Sequence, residues 1–147
     1  MEILLLLFAL GAGILMPVQA GVNAELSAQI GGPLQAALVS FVVGTLTLVG
    51  AVILLRLYLP DPGTFFSVPV WKWCGGFLGA LFVTATIFLA PRLGAVTLLA
   101  LLVTGQMSAS LILDHFGWLG YPEHAISVPR VLGVAFLLTG VVLVQKF

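Results

Sequence analysis

Five long apolar runs, separated by short stretches of polar and turn-forming residues, organise this chain. They occupy residues 3–20, 34–55, 73–90, 95–113 and 128–144. Within each run apolar residues follow one another without the alternation of a half-buried strand. Each run approaches or meets the roughly 20 residues that a helix needs to cross a bilayer core about 30 Å thick. An isolated spanning segment must satisfy its own backbone hydrogen bonds, and that selects helix. The pattern predicts one all-α integral membrane domain over residues 1–147, with five transmembrane helices at about 3–29, 34–57, 72–90, 94–114 and 128–146.

The punctuation between the runs refines this reading. The first run ends Val18-Gln19-Ala20, which looks like a small-residue cleavage site, but it is preceded by Met1-Glu2, acidic where a secretory leader is basic. It therefore reads as a retained span. The first strong stop is Gly31-Gly32-Pro33, so the helix is expected to run on toward Gln29, with Pro17 near mid-membrane. Leu59-Pro60-Asp61-Pro62-Gly63 reads as a loop, Pro91-Arg92-Leu93-Gly94 as a tight turn, and residues 115–129 as the longest polar connection.

Composition closes off other classes. Apolar residues make up 61% of the chain and charged residues 7%, and the mean hydropathy is +1.26. A soluble domain is about 45–50% apolar and about 25% charged, so too little polar surface exists to cover a water-soluble globule. The net charge of zero provides no basic footprint for nucleic acid. The single cysteine, Cys74, rules out an intrachain disulfide or a multi-cysteine metal site. His115 and His124 lie nine apart in a polar connection, weak spacing for a metal, and no catalytic constellation or phosphate loop is present. Neither enzyme activity nor a cofactor is expected.

The few charges fall at the ends of the runs. With five spans, Arg56, Lys72 and Arg130 lie on the side of the N-terminus, and Arg92 and Lys146 on the other. Orientation follows the Lys/Arg excess in short loops. An excess of one is a weak instruction, and it leaves insertion in both orientations open. Two copies inserted oppositely would form an antiparallel pair about an axis in the membrane plane. Inverted repeats of that kind build many secondary transporters, with the substrate site near the midplane.

Polar side chains inside a span are costly, which makes them functional candidates. Gln19 and Asn23 lie one turn apart on one face, just after Pro17, which can kink the helix and free carbonyls. They suit either a solute or helix–helix hydrogen bonding around the kink. Gln106, Ser110 and Asp114 recur every four residues and form a stripe from mid-membrane to the end of the fourth span. Asp114 reads most simply as a helix-end residue paired with His115 or Arg130. Trp71, Trp73, Trp118 and Tyr121 suit interface anchoring, and Trp73 could also fold inward to cap a cavity. Small residues mark contact faces: Ala36, Ser40 and Gly44; Gly75, Gly76, Gly79 and Ala80; Gly133 and Gly140.

Several of these segments together resemble the YdcZ-like family, a small-protein branch of the drug/metabolite transporter superfamily. The resemblance is carried by Pro17-Val18-Gln19-Ala20 with Asn23, by Ser40-Phe41-Val42-Val43-Gly44-Thr45, by Trp73-Cys74-Gly75-Gly76 with Gly79, and by Pro91-Arg92-Leu93-Gly94. Its strongest part is Gly105-Gln106-Met107-Ser108-Ala109-Ser110 followed by Leu113-Asp114-His115-Phe116-Gly117, with Arg130, Gly133 and Gly140 completing it. The resemblance implies five helices per chain in a bacterial inner membrane, and homodimers, paired subunits or fused ten-helix proteins in an inverted arrangement. It implies no substrate. The first helix lacks the mid-membrane glutamate of related small multidrug exporters, since Glu2 lies at its start and Glu25 late, so drug/proton antiport does not follow.

The combined expectation is a secondary transporter, an exporter or exchanger, of a small polar or weakly charged metabolite. It would work as an antiparallel homodimer in the lipid bilayer. The substrate-binding candidates are Gln19, Asn23, Trp73, Gln106, Ser110 and Asp114. A passive small-solute channel and a non-transporting assembly or regulatory subunit are the alternatives. The first differs by unsaturable flux, the second by polar residues buried against partner helices.

Overall fold

The computed structural model describes residues 2–146, and all regular structure among them is helical. The elements are α1 (Glu2–Ile30), α2 (Pro33–Leu54), α3 (Pro62–Ser67), α4 (Cys74–Leu93), α5 (Ala95–Phe116) and α6 (Val128–Lys146). Turns of 3₁₀ helix at Val70–Trp73 and Trp118–Gly120 precede α4 and follow α5. Among the described residues, four helical stretches are long and apolar enough to cross a membrane: Ile3–Ile30, Pro33–Leu54, Val70–Leu93 and Ala95–Phe116. The apolar part of the fifth, Val128–Leu143, is shorter than the others. With 19 residues, α6 is about 28 Å long, and Arg130 and Lys146 take up its ends.

The chain divides into two compact units, one ending at Arg92 and one beginning at Leu93. In the first, α1 and α2 form a helical hairpin closed by Gly31 and Gly32. Both glycines have positive φ, 103° and 144°, values that side chains rarely tolerate. Pro33 then starts α2 at a position where its missing N–H costs nothing. The small core of this unit is Ala36, Ala37 and Ile87, with Leu26 and Val83 packed against it. Methyl-sized side chains on α2 suit its close packing with α1 in lipid, and α4 meets them through the longer side chains of Val83 and Ile87. The ring of Phe41 also lies against Gly79, where a Cβ would sit 3.5 Å away. The remaining small-residue positions Gly44, Gly75, Gly76, Gly133 and Gly140 have no such neighbour.

The second unit is the pair α5 and α6, packed along each other. Its buried residues are Leu98, Thr104, Val134 and Val141. The connection between the helices is ordered by hydrogen bonds. Gly117 caps α5 in the left-handed conformation. The Asp114 carbonyl accepts from the His124 N–H at 2.7 Å, and the Ile126 N–H donates to Nδ1 of His115 at 3.3 Å.

Three boundaries differ from the sequence pattern. The helix of the third span continues through Pro91 and Arg92 to Leu93, so the expected four-residue turn reduces to Gly94, with φ 74°. Proline in the last turn forfeits only one backbone bond, and the Arg92 guanidinium reaches back to the Phe88 carbonyl while lying 3.6 Å from the Phe88 ring centroid. The second helix stops at Leu54, short of residue 57, because Arg56 adopts φ 51°. The loop after it contains α3, which begins at an Asp-Pro pair (Asp61, Pro62), a sequence signal for a helix start.

Candidate functional site

Most hydroxyl groups in the spans are satisfied within their own helix. Thr47, Thr84, Thr86, Thr104, Ser108 and Thr139 each donate to a carbonyl three or four residues earlier, at 2.8–2.9 Å. This back-bonding lets a hydroxyl sit in an apolar helix without a partner from elsewhere. The candidates divide against that background.

On α1, Asn23 is buried and its amide donates to the Ser40 hydroxyl of α2 at 3.2 Å. Half of the Gln19–Asn23 face therefore joins the hairpin. Gln19 is exposed, without a hydrogen bond among the described residues. Pro17 lies inside the helix one turn before it reaches Ala20, and supplies no N–H for the carbonyl of Gly13. Gln19 stands eleven residues from the C-terminal end of α1, about 16 Å along the axis.

On α5, Gln106 and Ser110 are exposed and have no hydrogen-bond partner among the described residues. Gln106 lies eleven residues from Ala95 and ten from Phe116, about 15 Å from either end. No side chain of that length reaches the interface from there. Asp114, the last member of the stripe, pairs with Arg130 of α6 at 2.7 Å. The same guanidinium donates to the His124 carbonyl at 3.1 Å, so Arg130 ties the loop to the start of α6. Of the two partners that the sequence leaves open for Asp114, the geometry selects Arg130.

Trp73 stands just before α4, edge-on to Phe65 with ring centroids 4.5 Å apart. It lines a shallow pocket of about 270 Å³ with Pro60, Thr64, Phe65, Val68 and Lys72. Thus Gln19, Asn23 and Trp73 fall in the first unit, and Gln106, Ser110 and Asp114 in the second. One further polar residue has the character of Gln19 and Gln106. Thr45, in the middle of α2, is exposed and makes no hydrogen bond among the described residues. Its only mark in the sequence is a hydroxyl deep in an apolar run.

Two comparisons with known proteins place the chain. Residues 4–143 match the model of the family described as "Putative inner membrane exporter, YdcZ". The chain belongs to this family. Among curated proteins, Inner membrane protein YdcZ of Escherichia coli (strain K12) is 38% identical over 80 residues, 54% of this chain. The aligned stretch spans about half of that protein, 53% of its length. No solved structure matches. The family description, an inner-membrane exporter, is in keeping with the long apolar helices of this chain.

Proposed function

We propose that the protein exports a small polar or weakly charged metabolite by secondary transport, as an antiparallel homodimer of five-helix subunits with its site near the midplane. The observation that carries this reading is the set of polar groups at depth that make no hydrogen bond among the described residues: Gln19 on α1, and Gln106 and Ser110 on α5. Moving an amide into hydrocarbon without a hydrogen bond costs roughly 4–8 kcal/mol. Against a total stability of about 5–15 kcal/mol, lipid is not an acceptable neighbour for two glutamines. A second copy and the solute in transit are. Asn23 contributes what its bond to Ser40 leaves free. Asp114 holds Arg130, and Trp73 lies at the membrane boundary, so both are placed outside the midplane set. Amides and a hydroxyl select a neutral or weakly charged solute, and membership of an exporter family supports outward transport.

Reconstitution into vesicles with a panel of small polar metabolites tests the reading. Saturable uptake with counterflow is expected for at least one solute, and Gln106→Leu should lower it at least about tenfold, the equivalent of one lost buried hydrogen bond, while helical content is unchanged. Flux that neither saturates nor shows counterflow would indicate a channel. An unaffected Gln106→Leu variant would remove α5 from the site.

A further inference from the structure

The end of α5 and the connection to α6 carry both histidines, and the transport reading uses neither. We infer that His115 is an acid-sensitive latch: its neutral ring holds the stretch leading into α6 against the end of α5, and protonation releases that stretch. The hydrogen bonds decide which nitrogen carries the proton. The Ile126 N–H donates to Nδ1 of His115 at 3.3 Å, so this nitrogen bears no hydrogen and the neutral ring carries its proton at Nε2. A protonated imidazole has an N–H at both nitrogens and no acceptor left. Two donors would then face each other, and the bond is lost. His124 is built the opposite way. Its Nδ1 lies 3.0 Å from the Pro122 carbonyl, which only accepts, so that nitrogen carries a hydrogen whether the ring is neutral or charged. Of the two rings, only that of His115 makes a hydrogen bond that a proton breaks.

The surrounding contacts confine the release. His124 is fixed twice by bonds that do not involve His115. Its N–H donates to the Asp114 carbonyl at 2.7 Å, and its carbonyl accepts from Arg130 at 3.1 Å. Between that anchor and the start of α6 at Val128, the bond from Ile126 is the one hydrogen bond to α5 among the described residues. The freed stretch is therefore residues 125–127. Acid loosens the entry to α6, while the Asp114–Arg130 pair keeps its first turn docked. The charged or titratable groups on the elements packed around the ring are Asp114 on α5, Glu123 and His124 in the connection, and Arg130 on α6. Carboxylates in water titrate at about pH 4, and guanidinium keeps its charge, so histidine is the group that responds between pH 5 and 8. Residues 121–129 are all exposed and His115 is half-buried, so protons from solvent reach the ring. Histidine in water titrates at about pH 6.5. A proton that only the released ring accepts raises the released population about tenfold between pH 7.5 and 5.5.

Hydrogen exchange resolved to single amides, on the full chain in lipid nanodiscs, reads the latch directly. The protection of the Ile126 amide, corrected for the intrinsic pH dependence of exchange, should fall about tenfold between pH 7.5 and 5.5. That of the His124 amide should stay constant. His115→Asn places an amide oxygen about where Nδ1 stands, an acceptor that does not titrate, so protection of Ile126 should persist at both pH values. His115→Phe should lack it at both. His124→Asn and Glu123→Gln should keep the fall seen in the unaltered protein. Constant protection of Ile126 in the unaltered protein would overturn the assignment, as would a fall that survives His115→Asn or one that His124→Asn or Glu123→Gln abolishes. So would an equal fall at the His124 amide, which would mark opening of the whole connection rather than release of this bond. Solute flux enters none of these readouts, so failure here and failure of the transport reading are distinguishable.

Discussion

At the scale of single residues, the informative contrast is between polar groups that the chain satisfies and those it leaves open. The Asn23–Ser40 bond is an interhelical hydrogen bond of the kind worth about 0.6 kcal/mol on average and up to about 1.7 in membrane proteins. A double-mutant cycle of Asn23→Ala and Ser40→Ala, read by unfolding in detergent, should return a coupling in that range. A coupling of zero would show the pair to be incidental. Arg130 holds a partly exposed carboxylate and a backbone carbonyl at once. Arg130→Gln should therefore cost about 1–2 kcal/mol, more than an exposed ion pair alone. Arg130→Lys should recover part of that, because one ammonium cannot span both acceptors. The stripe of Gln106, Ser110 and Asp114 was legible from its four-residue spacing. The partner of Asp114 was not, since Arg130 comes to it only through the folding of the connection 117–127, whose course depends on Gly117 and the His124 backbone.

At the scale of elements, what the sequence shows and what it hides have separate physical causes. The spans are visible because lipid demands unbroken apolar length, and α1, α2 and α5 begin and end within a few residues of expectation. Their ends are less visible where two local signals compete. Pro91 announces a stop, but in a last turn it removes one bond and Gly94 supplies the real break. The 3₁₀ turn carrying Trp71 and Trp73 starts the third apolar stretch later as α-helix than its composition suggests. Packing between elements rests on few large side chains. Ile87 is 1% exposed against Ala36 and Ala37. In lipid the transfer part of a core truncation largely vanishes, because a departing methyl group leaves hydrocarbon for hydrocarbon. The cavity part remains, about 24 cal/mol per Å³. Ile87→Ala should thus cost about 2 kcal/mol in equilibrium unfolding, at the low end of the 2–5 kcal/mol seen in water. A cost above about 4 kcal/mol would mean that the contact orders more than these two helices.

At the scale of the whole molecule, charge and exposed polarity point the same way. If all five apolar helices span, three basic residues fall on one side and two on the other, which gives little direction to insertion. On a five-span reading the two termini of one chain lie on opposite faces, and a copy inserted the other way exchanges them. The polar groups of α1 and α5 that no described residue of the same chain satisfies are the reason to expect a second copy, and the family's description as an inner-membrane exporter is the context. The central claim is that copies of both orientations coexist and close the site between them. Glu123→Cys in a Cys74→Ser background puts one thiol in the exposed connection between α5 and α6. Intact cells are treated with a membrane-impermeant maleimide, then permeabilised and treated with a second one of different mass. The account predicts roughly half of the chains labelled from each side. Labelling of all chains from one side only would contradict it.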